Sequence, residues 1–211
     1  MARITGGIGK FASGKLGEVV FVQREGMTYI RKLPEYTKDS WTPRQKQHRE
    51  RFRLVNAFCR NYRMQIIQPI WNLAPGKGSG YGRFLKANMP AFGLDGQLAD
   101  RAMLHFSDGV LPLPFHFAIE MIAGENDKIR VHWENDSLKS SMYDRDELFL
   151  VPALSDGFGE PYNTGIRRSA SDATMVLPVE TSKIEAVYLF FASADRKRYS
   201  PDKYFALHFQ E

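Results

Sequence analysis

From Met103 onward the chain consists of short apolar or alternating runs separated by turn signals, and no stretch keeps a helical period. The runs fall near 103–106, 115–122, 129–134, 147–152, 174–179, 186–192 and 204–209. Strand-length runs at this spacing fold back on one another as two packed sheets, so the pattern predicts a small antiparallel β-sandwich. Within it, Lys128-Ile129-Arg130-Val131-His132-Trp133 alternates cleanly. The alternation puts Ile129, Val131 and Trp133 on one face, with Trp133 as the expected core anchor. The stretch 155–171, with Gly157, Gly159, Pro161 and Gly165, reads as a long surface loop.

The chain before that region reads differently. Gly6, Gly7, Gly9, Gly14 and Gly17 make a glycine-rich opening arm. Val19-Val20-Phe21-Val22 and Met27-Thr28-Tyr29-Ile30, separated by Gln23-Arg24-Glu25-Gly26, predict a β-hairpin with Gly26 at the turn. Thr42-Pro43-Arg44-Gln45 is a helix start. Thr42 can cap, Pro43 suits the first helical position, and Gln45 can reach back to the Thr42 amide. The predicted helix runs to about Gln68. Its Phe52, Val55, Cys59, Tyr62 and Ile66 fall within an arc of roughly 80° and form the expected buried stripe. Pro69 is expected to end or kink the helix, Pro75 to Gly80 to form a loop, and Tyr81 to Asn88 to form a shorter helix stopped by Pro90.

Charge separates the two halves. Residues 1–90 hold 17 Lys and Arg against 5 Asp and Glu, whereas residues 91–211 hold 12 against 19. The first part is therefore suited to a polyanion or to an acidic protein face. Lys46, Arg49, Arg53 and Arg60 fall within about 60° of arc, nearly opposite the apolar stripe, which makes them the candidate polyanion-binding residues, helped by Lys32, Lys38 and Arg63. Arg44, Lys46 and Arg49 occupy the first helical turns, where the dipole disfavours cations and no acidic residue offsets them. No base-reading motif accompanies the stripe, so binding to nucleic acid would be largely insensitive to sequence. Opposite charges on one chain also permit head-to-tail self-association.

Other motifs carry no chemistry of their own. Gly9 to Lys15 satisfies G-x-x-x-x-G-K. However, Leu16 stands where a magnesium-binding hydroxyl is needed, and the following run reads as strand where a helix is required. Hydrolase elbows, zinc-protease motifs and paired cysteines are absent from the sequence. His48, His105, His116, His132 and His208 are scattered singly, leaving a His116/His132/His208 grouping through strands as the one metal alternative. Asp144-Arg145-Asp146-Glu147 lacks the turn glycine of a calcium loop and reads as a solvated turn. Cys59, the single cysteine, lies on the apolar stripe as a small hydrophobe. No catalytic residue, metal or cofactor is assigned, and no small-molecule substrate is evident. The opening residues lack the apolar core of a secretory signal, and no apolar run approaches the ~18 residues of a membrane span, so a cytoplasmic protein is expected.

Met1-Ala2-Arg3-Ile4, Gly14-Lys15-Leu16-Gly17-Glu18-Val19-Val20, Tyr29-Ile30-Arg31 and Thr42-Pro43-Arg44-Gln45 open the chain, and Trp133-Glu134-Asn135-Asp136, Thr164 to Arg168, Leu177-Pro178 and Ala192 to Asp195 mark its second half. In these segments the chain resembles a bacterial family of uncharacterised proteins known as a domain of unknown function. The resemblance implies an N-terminal hairpin and helices followed by an immunoglobulin-like sandwich, and implies no activity. The expected fold is thus α+β, with a hairpin and basic helical region over 1–98 and an antiparallel immunoglobulin-like β-sandwich over 99–211. The expected function is that of a non-enzymatic interaction or structural protein with a protein partner or self-association. The alternative is a nucleic-acid or other polyanion binder.

Overall fold

The computed structural model describes residues 2–4, 12–35, 41–122, 125, 127–135, 140–177 and 184–207. Gly6, Gly7 and Gly9 of the opening arm, together with Lys38 and His208, lie outside the described residues. The chain forms two compact units, Met1–Lys46 and Gln47–Glu211, so residue 98 falls within the second.

The first unit is a four-stranded antiparallel sheet of β1 (Ala2–Ile4), β2 (Gly14–Leu16), β3 (Val19–Arg24) and β4 (Met27–Lys32), in the order β1-β4-β3-β2. Arg24 pairs with Met27, leaving Glu25 and Gly26 as a two-residue turn with φ of 53° and 74°. Positive φ at both positions gives the turn whose twist matches that of the flanking strands. The predicted hairpin is therefore present, and β2 extends it: Lys15 lies in a strand, not before a helix. The Thr42 amide donates to Gln45 Oε1 at 2.9 Å and the Gln45 amide to Thr42 Oγ1 at 3.3 Å, completing the predicted capping box.

Helix α1 (Pro43–Asn61) gives way to a π-helix (Arg63–Trp71), followed by α2 (Gly80–Asn88) and two 3-10 turns, Met89–Ala91 and Arg101–Met103. Then come β5 (Phe115–Met121), β6 (Lys128–Glu134), the single turn α3 (Ser140–Tyr143), β7 (Glu147–Leu154), β8 (Gly157–Phe158), β9 (Tyr162–Arg167), a 3-10 turn (Arg168–Ala170), β10 (Asp172–Val176), β11 (Ile184–Ala192) and β12 (Lys203–Ala206). One sheet has the order β10-β6-β5; the other is β12-β11-β7-β8, with β9 also on β7. All pairings are antiparallel.

The second unit has three layers, because the larger sheet is buried on both faces. Leu148, Leu150, Val187, Leu189 and Phe191 point to one side and meet Phe117, Ile129, Val131 and Trp133 of the smaller sheet, which makes the C-terminal part sandwich-like. Trp133 anchors this core as expected, its rings against Phe117 and Phe191 and its Nε1 donating to the Arg168 carbonyl at 2.9 Å. Val151, Ala153, Ala186, Tyr188 and Phe190 point the other way and pack on Val55, Cys59, Ile66, Ile70, Trp71 and Phe84 of the helices. This is why β11 reads as a continuous apolar run: a strand covered on both faces has no polar alternation. α+β is thus the observed class.

Four expectations differ in detail. Residues 103–106 form no strand, since the Phe106 amide is taken by Asp202 Oδ2 at 2.7 Å and not by a neighbouring strand. Stretch 155–171 contains β8, a two-residue strand too short to show a period, and β9, whose largely polar edge residues carry no apolar alternation. Phe52 is 46% exposed, and the buried face instead includes Phe58, whose ring meets Tyr62, Phe84, Phe92 and Phe158. Asp146 is 3% exposed and so not a solvated residue; its amide donates to the Tyr143 carbonyl at 2.9 Å and its carbonyl accepts from the Arg168 amide at 2.7 Å.

Candidate anion-binding site

Pro69 decides how the long helical region ends. An α-helix would bring its ring against the Gln65 carbonyl and waste that acceptor. The chain instead widens: the Ile67 amide reaches Tyr62 O at 3.0 Å and the Asn72 amide reaches Ile67 O at 2.9 Å, each five residues back. Asn56, Arg60 and Arg63 follow steps of four and three and so share one side of the chain just before this widening.

Helix α2 closes the other side. Ser79 Oγ caps it by accepting from the Gly82 amide at 3.1 Å. Gly80 sits against the end of the π-helix, where a β-carbon would come within 2.3 Å of Asn72 Oδ1 and 2.7 Å of the Trp71 carbonyl carbon. The intervening Pro75 to Gly80 loop is held by Arg83. Its Nη1 donates to Gly78 O (2.7 Å) and Gly76 O (3.2 Å), and its Nη2 to Ala74 O (2.9 Å) and Trp71 O (2.5 Å).

The result is a pocket of about 380 Å³ lined by Asn56, Arg60, Arg63, Gln68, Asn72 and Tyr81, with Ile67 and Ser79 completing its wall. The Tyr81 hydroxyl donates to Asn56 Oδ1 at 2.5 Å. Burial pushes the Tyr81 phenol up, and the charges of Arg60 and Arg63 pull against that shift. No acidic residue lines the pocket, and among the described residues neither arginine has a carboxylate at ion-pair distance. Such a wall offers donors and positive charge to a ligand and little to repel an anion.

Lys46, Arg49, Arg53 and Arg60 are all exposed on α1. They are not equivalent. Arg53 is held by Glu50 through hydrogen bonds of 2.6 and 3.0 Å, which lowers the Glu50 carboxyl and raises the guanidinium. Arg60 lies in the pocket with Arg63. Arg51, which the stripe omitted, turns inward and donates to Met89 O and Phe92 O, both at 2.8 Å. Asn56, Asn72 and Tyr81 were not singled out by the sequence reading. The spacing of Asn56, Arg60 and Arg63 was visible in the sequence, but the fold-back that brings Tyr81 to them was not.

No family model, curated protein or solved structure matches this chain.

Other polar groups are engaged elsewhere. His105 Nδ1 lies 3.0 Å from the buried Asp202 carboxylate, a hydrogen bond that raises the imidazole. His116 and His132 lie beside single glutamates, and among the described residues no three potential metal ligands converge. Cys59 is buried, and desolvation pushes its thiol up to about 12.

Proposed function

We propose that this is a non-enzymatic interaction protein that binds a polyanion through the outer side of its helical layer, with the sheets as scaffold. The observation that carries this reading is that two arginines without a carboxylate partner among the described residues meet at one pocket of the helical layer. On the β side, Arg101 pairs with Glu185, Lys128 with Glu125, Arg130 with Asp172 and Arg196 with Glu147. Arg60 and Arg63 have no such partner among the described residues and meet at a pocket. Because several acidic residues of the second half are spent on these local pairs, a partner from outside suits the helical cations better than a second copy of the chain. Nucleic acid is the polyanion this surface fits, contacted at its phosphates without base reading.

The sandwich-like part is proposed to be immunoglobulin-like, a reading supported by its two antiparallel sheets around Trp133 and by the family resemblance. No helix among the described residues is long and apolar enough to cross a membrane, and the reading places the protein's action in the cytoplasm.

The test is fluorescence anisotropy of the full chain with a short duplex and a single strand across roughly 50 to 200 mM salt. The expected result is a linear fall of log K with log salt, with a slope worth several released counterions. No binding at the lowest salt would overturn the polyanion reading. A mass by light scattering that rises at low salt in the absence of nucleic acid would favour self-association instead.

A further inference from the structure

We infer that the pocket between the end of α1, the π-helix and the start of α2 seats a single phosphate group, an inference that rests on the polyanion reading for the sign of the ligand's charge. Tracking along a nucleic-acid backbone needs only an exposed row of cations. This site has more than that: a concavity whose lining includes two arginines together with Asn56, Gln68 and Asn72.

The chemistry selects the ligand class. Arginine presents a planar fork of N–H donors that matches two oxygens of one anion, and two forks from different turns can share the three terminal oxygens of a phosphate. Asn56 lines the pocket, and with its Oδ1 taken by the Tyr81 hydroxyl its amide has only donors to offer a ligand. Gln68 of the π-helix and Asn72 just after it add amide side chains to the lining. A volume of about 380 Å³ leaves room beside the phosphate for part of the group that carries it. The Arg83 clamp on four carbonyls fixes the loop that leads into the α2 wall, so this wall is set before a ligand arrives.

The phosphate can come from a free phosphate-bearing small molecule or from the phosphorylated end of a nucleic-acid strand. Calorimetric titration of the full chain with inorganic phosphate tests the seat itself, and anisotropy with one oligonucleotide carrying either a 5′-phosphate or a 5′-hydroxyl tests the source. Saturable binding of phosphate is expected, weakened at least about tenfold in Arg60→Gln and Arg63→Gln and within about twofold of wild type in Arg44→Gln, which removes a cation outside the pocket. Tyr81→Phe keeps the ring but frees Asn56, and should weaken phosphate binding while leaving the far-UV spectrum unchanged. Binding of a phosphate monoester should also tighten as pH rises through about 6, where its second proton leaves.

Phosphate that fails to saturate, or that binds Arg44→Gln and Arg63→Gln equally, overturns the inference. If both oligonucleotides bind alike with a salt slope and phosphate does not saturate, the polyanion surface stands and the pocket falls. If phosphate saturates the pocket and neither oligonucleotide binds, the seat stands for a small phosphate-bearing molecule and the polyanion reading falls. A clear preference for the 5′-phosphate over the hydroxyl end, lost in Arg63→Gln, assigns the seat to a strand terminus.

Discussion

Asp146 should make the protein less stable as pH rises from acid to neutral, and Asp146→Asn should remove that dependence. The carboxyl is 3% exposed and its Oδ2 has no hydrogen-bond partner. Burial pushes it up from 3.8 to about 6; Arg168 and Arg198 pull the other way without cancelling the effect, and Asp195 adds to it. A carboxyl that prefers its proton in the folded state favours folding fully below its unfolded value. That advantage fades between about pH 4 and 6 and is gone above the folded value. A shift of this size corresponds to about 3 kcal/mol at 1.36 kcal/mol per unit. Asn stays neutral throughout, so any fixed offset from the amide cancels in the pH dependence of the wild-type-minus-variant difference. Urea unfolding followed by tryptophan fluorescence, with buried Trp71 and Trp133 as reporters in the second unit, measures that difference at pH 4 and at pH 7.5. It should shift against wild type by about 2 kcal/mol over this window, the part of the full effect that remains at pH 4, with m unchanged. A constant difference would refute the reasoning, as would a shift in favour of wild type.

Three further outcomes are expected. Gly80→Ala should cost about 1–3 kcal/mol in thermal or chemical unfolding, because its β-carbon meets backbone at the end of the π-helix; a stability equal to wild type would show that the π-helix and α2 part easily. The His105–Asp202 pair raises the imidazole, so its contribution is present below about pH 6.5 and lost as pH rises through the higher folded value. His105→Ala should therefore lose up to about 1 kcal/mol more at pH 5.5 than at pH 8.5, a modest figure because the ring is half exposed. Cys59, with its buried thiol pushed up to about 12, should resist a thiol reagent at pH 8 until denaturant is added, and prompt reaction of the native protein would contradict that burial.

The parts of the fold legible in the sequence are those in which a local rule had no competitor. The Thr42/Gln45 capping box, the Glu25-Gly26 hairpin and the alternation through Ile129, Val131 and Trp133 each follow from a few adjacent residues. Misread segments were held by distant partners. Phe106 is fixed by Asp202, β9 hides as a polar edge on β7, and Phe58, not Phe52, joins an aromatic cluster drawn from α1, α2 and β8. The same distinction holds at the candidate site. Arg60 could be read from the helical phase, whereas the pocket depends on Pro69 widening the helix and on the Arg83-clamped loop returning Tyr81 to Asn56. Neither the widening nor the return leaves a periodic trace.

The most direct test of the central claim is anisotropy of a fluorescent single strand with wild type and with Arg60→Glu/Arg63→Glu, at low salt and matched fold by circular dichroism. Wild type is expected to bind, and the double reversal to lose at least about tenfold in affinity with a shallower salt slope. Equal affinity of the two proteins, or no binding by either, would contradict it.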